Sequence, residues 1–116
     1  MVNKFNIGNI TVGDKCEPVV ITEVGINHKG NLDKAIHLVD EAVDAGAKII
    51  KHQTHIVYDE MIDAAKKTIP GNSNKSIYEI ISKNSLNEKE EFKLMKYIKS
   101  KKAIFISTPF SREAAN

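Results

Sequence analysis

Short β-branched runs alternate with segments of helical period, and this alternation restricts the fold more than any other feature of the chain. Residues 19–22, 48–54 and 103–107 read as three strands, rich in valine and isoleucine. Between the first two, Leu32, Ala35, Ile36, Val39, Ala42 and Val43 recur at helical spacing. Asn31 is a candidate N-cap for that helix and Gly46 a stop signal. Before the third strand, Ser85 and Glu88 have the spacing of a capping box. The helix they open carries Phe92, Met95 and Ile98 on one side, with glutamates in its first turn and lysines in its last, as the helix dipole favours. Strand, helix, strand, helix, strand is the order of a parallel sheet with crossover helices. The strands are apolar almost throughout, as strands covered on both faces are.

Two further segments stand outside that order. Residues 5–18 hold short apolar alternation broken at Gly8-Asn9 and Gly13-Asp14, which predicts a small hairpin or cap. Residues 59–84 form an insertion between the second strand and its helix, where a βα connection has a typical length of about 2–6 residues. Short helices are expected within it, one starting at Asp59 and one at the Ser76–Glu79 capping box, around a turn at 70–74. Loops that follow strand C-termini build the site in α/β proteins, so the insertion reads as a substrate-covering element.

The fold class that follows is α/β, the N-terminal portion of a (β/α)8 barrel. About three βα units (residues 19–116) are preceded by a hairpin cap (residues 1–18). A closed barrel takes about 250 residues. The 116 residues therefore read as a fragment of a larger enzyme, with residues 111–116 as the start of a third crossover helix; the alternative is a small open α/β domain.

Composition excludes several classes. A net charge of +2, with lysines scattered among acids, makes no case for nucleic acid or an acidic membrane surface. The N-terminus is polar and no apolar run reaches the length of a membrane span. One cysteine, Cys16, makes no internal disulfide and reads as a half-buried apolar filler, which fits a reducing cytoplasm. The four histidines show no zinc-motif spacing: His37 reads as surface, His28 lies in the first βα loop, and His55 follows the second strand. His52 alternates with Lys51 and Gln53, which turns it toward the helices.

Lys51 is the most informative residue, because an ammonium inside an apolar strand needs an anion unless it is solvated at the strand end. Gln53 points to the same side. Glu23 ends the first strand, where it can hold a hydroxyl, relay a proton or pair with Lys51. Thr108 ends the third strand, on the face of Ile104 and Ile106, where its hydroxyl can meet a phosphate oxygen. In a barrel these four would converge on one mouth.

The segments 22–30, 51–55, 69–72 and 105–111 resemble the successive motifs of the sialic acid synthases. They contain E-x-G-x-N-H-x-G at Glu23 to Gly30, Lys-His-Gln-Thr-His at Lys51 to His55, Ile-Pro-Gly-Asn ending at Asn72, and Ser-Thr-Pro-Phe ending at Phe110. The form at 51–55, followed by Asp59-Glu60-Met61, is most similar to bacterial N-acetylneuraminate synthases, with legionaminic and pseudaminic acid synthases as relatives.

The resemblance implies a condensation of phosphoenolpyruvate with N-acetylmannosamine that gives sialic acid and phosphate with C–O cleavage. By position it assigns Lys51 and Thr108 to phosphoenolpyruvate, Gln53 and Asn72 to the sugar, and Glu23 to proton handling beside the reacting carbons, with Glu23 and Lys51 as the catalytic pair. It implies a divalent metal, manganese or magnesium, whose histidine ligands lie outside this chain. It also implies a domain-swapped homodimer with a C-terminal antifreeze-like domain. A chain without those parts is expected to be inactive alone. A rival of another class is a non-catalytic α/β binding module, against which the inward Lys51 and Glu23 count.

Overall fold

The computed structural model describes residues 3–116. The first two residues of the expected cap segment lie outside that range. Strands β1 (Lys4–Ile7) and β2 (Ile10–Gly13) form an antiparallel hairpin. Its turn is made by Gly8, whose positive φ of 58° and lack of a Cβ let it lie against Ile104; a Cβ there would stand 2.8 Å from the isoleucine's terminal methyl.

The second sheet is parallel, in the order β3 (Ile21–Gly25), β4 (Ile49–Thr54), β5 (Ile104–Pro109). The first strand lies two residues later than its β-branched run suggests. Val19 and Val20 have strand propensity but no strand beside them, and Val20 stays exposed. Register aligns Glu23 with Lys51 and Ile106, and Gln53 with Thr108; between Glu23 and Gly25 it shifts at a bulge, which sets Gly25 beside His52.

Helices α1 (Leu32–Asp44) and α4 (Glu88–Ser100) cover one face of this sheet. Val24, Ile50 and Phe105 of the strands pack there with Ala35, Val39, Leu94 and Ile98. Tyr97 donates to Asp40 at 2.7 Å and Lys101 pairs with Asp40 at 2.9 Å, tying the two helices together. Asn31 caps α1 by accepting from the Lys34 amide, as its position predicts.

The opening of α4 differs from the expectation. Its N-cap is Asn87, in a capping box with Glu90, and Ser85 instead donates to the Ile81 carbonyl at the end of the preceding helix. Its buried side chains are Leu94 and Ile98, whereas Phe92 is exposed and Met95 half-buried. The chain between β4 and α4 contains α2 (Val57–Glu60), a 3-10 turn at Asp63–Lys66 and α3 (Ile77–Asn84). Ser76 and Glu79 form the expected capping box, but Asp59 lies inside α2 and does not start it, because the N-cap is Ile56. The segment after β5 makes a single 3-10 turn, Glu113–Ala115.

Candidate functional site

Period-two alternation divides β4 between the two faces of the sheet. Ile50, His52 and Thr54 turn toward the helices; Lys51 and Gln53 turn the other way, with their register neighbours Glu23 and Thr108. Because the strands are parallel, the four residues occupy two levels of that face, Glu23 and Lys51 mid-strand and Gln53 and Thr108 one residue short of the C-terminal ends. The Lys51 ammonium lies 2.6 Å from the Glu23 carboxylate, and both side chains keep about a third or more of their surface open, 34% and 41%. Thr108 is half-buried. Asn72 stands apart, exposed in the turn of the insertion. Four of the five expected site residues therefore share one face, and of the three readings of Glu23 the pairing with Lys51 is the one seen.

Gln53 has its own setting. Gly25, at a φ of +54°, lies against its amide, and His55 meets it from the far side, with Nε2 3.3 Å from Oε1. The other nitrogen of His55, Nδ1, lies 2.9 and 3.0 Å from the two oxygens of Glu60, the last residue of α2. Phe110, just past β5, stacks on the His55 ring at 4.3 Å between centroids.

Behind the strands lies a buried polar chain. The Gly30 amide donates to His28 Nδ1 at 3.1 Å, and His28 Nε2 faces His52 Nε2 at 3.1 Å. With Nδ1 accepting, a neutral His28 carries its proton on Nε2 and donates it to His52, which puts the His52 proton on Nδ1. That nitrogen has no hydrogen-bond partner and stands 3.8 Å from Glu91, which accepts from Thr54 at 2.8 Å. Thr54 in turn bonds Ser107 at 2.6 Å. Burial lowers His28 below its ordinary range. It lowers His52 to about 4, helped by the like charges of His28 and His55. Burial also raises Glu91 to about 7, against the Thr54 hydrogen bond.

His52 was legible from alternation, but Glu91 was not. A glutamate in a first helical turn suits the helix dipole whether it is buried or not. The signal that finds it is its spacing from Leu94 and Ile98, which sets it on the buried stripe of α4. His37 is exposed as expected, and Cys16 is half-buried. Among the described residues, no group of three or more His, Cys, Asp or Glu side chains is arranged to hold a metal ion. None of the helices among them is long and apolar enough to cross a membrane.

Comparison with known proteins decides the family. The sequence model of the NeuB family matches residues 38–116. The chain belongs to the NeuB family. It is 36% identical over 107 residues to the spore coat polysaccharide biosynthesis protein SpsE of Bacillus subtilis, covering 90% of this chain and 28% of SpsE. To the N,N'-diacetyllegionaminic acid synthase of Campylobacter jejuni it is 30% identical over 102 residues, 84% of this chain and 30% of that enzyme. Among solved structures, the N-acetylneuraminic acid synthetase of Leptospira borgpetersenii in complex with citrate superposes with a TM-score of 0.82 at 28% identity. That match takes in 100% of this chain and 37% of the synthetase. The chain thus spans under two-fifths of the length of each of these relatives and shares the synthetase's α/β fold.

Proposed function

We propose that the protein is a phosphoenolpyruvate-dependent N-acetylneuraminate synthase, with residues 19–116 forming the first βα units of a (β/α)8 barrel and residues 1–18 a cap at its base. The observation that carries this reading is that Glu23, Lys51, Gln53 and Thr108 share one face of adjacent parallel strands, with Gln53 and Thr108 beside the C-terminal ends. Ligands sit at that end of parallel α/β sheets. Family membership and the likeness to a sialic acid synthetase support the same chemistry.

In this reaction the enol carbon of phosphoenolpyruvate attacks the aldehyde of N-acetylmannosamine, whose oxygen takes up a proton. Water adds to the neighbouring carbon and loses a proton. The resulting tetrahedral intermediate expels phosphate with the bridging oxygen. Lys51 and Thr108 supply a cation and a hydroxyl donor for the anionic donor. Glu23, paired with Lys51 and 41% exposed, is the group proposed to accept or return a proton. Gln53 and Asn72 meet the sugar, Asn72 from the turn of the insertion. The divalent metal that the family resemblance implies, manganese or magnesium, would take ligands from outside these residues. The assembly expected is a domain-swapped homodimer in the cytoplasm.

The test is phosphate release by the whole protein with phosphoenolpyruvate and N-acetylmannosamine in 18O-labelled water. Label is expected in the sugar acid and none in the phosphate. Label in the phosphate would mean P–O cleavage and defeat the proposal. Lys51→Met is expected to lower kcat/KM for phosphoenolpyruvate by about 10²-fold or more. A second reading, a legionaminic acid synthase, is favoured by the 30% identity to two N,N'-diacetyllegionaminic acid synthases. Turnover of a diacetamido sugar in preference to N-acetylmannosamine would select it.

A further inference from the structure

We propose that His55 and Glu60 are positioning residues that fix which end of the Gln53 amide faces the acceptor sugar. This deepens the reading above and rests on its placing Gln53 at the sugar. Both side chains are only 5% exposed, so the carboxylate of Glu60 is nearly dry. A dry carboxylate without a cation is costly, and the His55 ring is the group at hydrogen-bond distance from both of its oxygens. Both ring nitrogens face oxygen acceptors, Nδ1 the Glu60 carboxylate and Nε2 the Gln53 amide oxygen. Nδ1–H is donated to Glu60, and Nε2–H to the Gln53 carbonyl oxygen at 3.3 Å.

That bond decides the amide's direction. With its oxygen held by His55, Gln53 has its NH2 group, two donors, left for a ligand. A ring that accepted at Nε2 would fit the same place with the amide turned over and an oxygen presented instead. Gly25 beneath the amide and Phe110 stacked on the ring hold the set in register. The group recognised is thus an acceptor on the sugar, a carbonyl or hydroxyl oxygen. The short helix α2 carries Glu60, so the insertion after β4 reaches the site through this contact.

The test is steady-state kinetics on the whole protein, with donor and acceptor varied separately. Gln53→Ala comes first: a raised KM for N-acetylmannosamine is expected, and an unchanged one would remove the reading of Gln53 itself. Glu60→Gln replaces a group that only accepts with one that both donates and accepts, so the ring is no longer fixed as the donor at Nδ1. It is expected to raise the acceptor KM about tenfold while leaving the phosphoenolpyruvate KM unchanged. In the double variant the two effects should not add, since one acts through the other. Additive effects, or a normal acceptor KM in Glu60→Gln when Gln53→Ala is impaired, would overturn the inference. Gln53→Glu provides an arm that leaves the buried pair intact. Its carboxylate still accepts from His55 but offers no donor, so it should bind the acceptor as poorly as Gln53→Ala. Wild-type binding by Gln53→Glu would also overturn it.

Discussion

His52 and Glu91 hold opposite and compensating positions on the proton scale. Folding lowers His52 from 6.5 to about 4 and raises Glu91 from 4.5 to about 7, both chiefly through burial. The histidine's contribution to stability is full above 6.5 and is lost as pH falls toward about 4, because the unfolded chain then binds a proton that the folded one refuses. The glutamate's contribution runs the other way: full at 4.5 and below, and lost as pH rises through about 7. Between 4.5 and 6.5 the two slopes cancel, and folding moves one proton from the histidine to the carboxyl group. Glu91→Gln removes one side of that balance. The variant should match the wild type near pH 4 and exceed it by on the order of 1–3 kcal/mol at pH 8, where the wild type must bury an ionised carboxylate. Urea unfolding at the two pH values reads this directly. An equal difference at both would mean that Glu91 does not hold its proton in the folded protein.

At the scale of elements, α4 shows what a sequence tells and what it withholds. Its existence, its acidic first turn and Ile98 on its inner side were legible from period and charge. Its first residue was not, because Ser85 and Asn87 both have the chemistry of a cap and α3 claims Ser85 for its own C-terminal end. The inner face was half legible: Leu94 and Ile98 are buried, while Phe92 and Met95 line an open cleft of about 550 Å³ beside β5. Leu94→Ala should cost about 2–5 kcal/mol. Phe92→Ala should cost under about 1 kcal/mol unless another part of the protein covers the cleft. Chemical denaturation of both variants ranks the two faces, and a larger loss at Phe92 would mean that the cleft is filled. The strands follow the same logic. Alternation assigned Lys51, Gln53 and His52 to their faces correctly, since it depends on neighbours in the chain. The contacts His28–His52 and His52–Glu91 join residues far apart in sequence and became visible only with the register of β3 and β4 and the seat of α4 on the sheet.

For the whole molecule the decisive feature is the pair of open edges. Among the described residues, β3 and β5 each pair with β4 on one side and with no strand on the other. The helices cover one face, while Val20, Ile62, Phe92 and Phe110 remain exposed. Parallel sheets are stable when both faces are covered, and a bare edge is a template for pairing with another chain. A polypeptide limited to residues 1–116 is therefore expected to self-associate and to melt over a broad range. Light scattering on a size-exclusion column, with circular dichroism across a thermal ramp, measures both. A monomer with one sharp transition would show that the hairpin seated on Ile104 and the paired helices α1 and α4 suffice to stabilise three strands. The ion pair of Glu23 and Lys51 would then stand at the mouth of a self-sufficient domain, and binding of phosphoenolpyruvate could be measured on it alone. In the expected outcome, the sheet that carries these two side chains needs neighbours on both edges before it is stable.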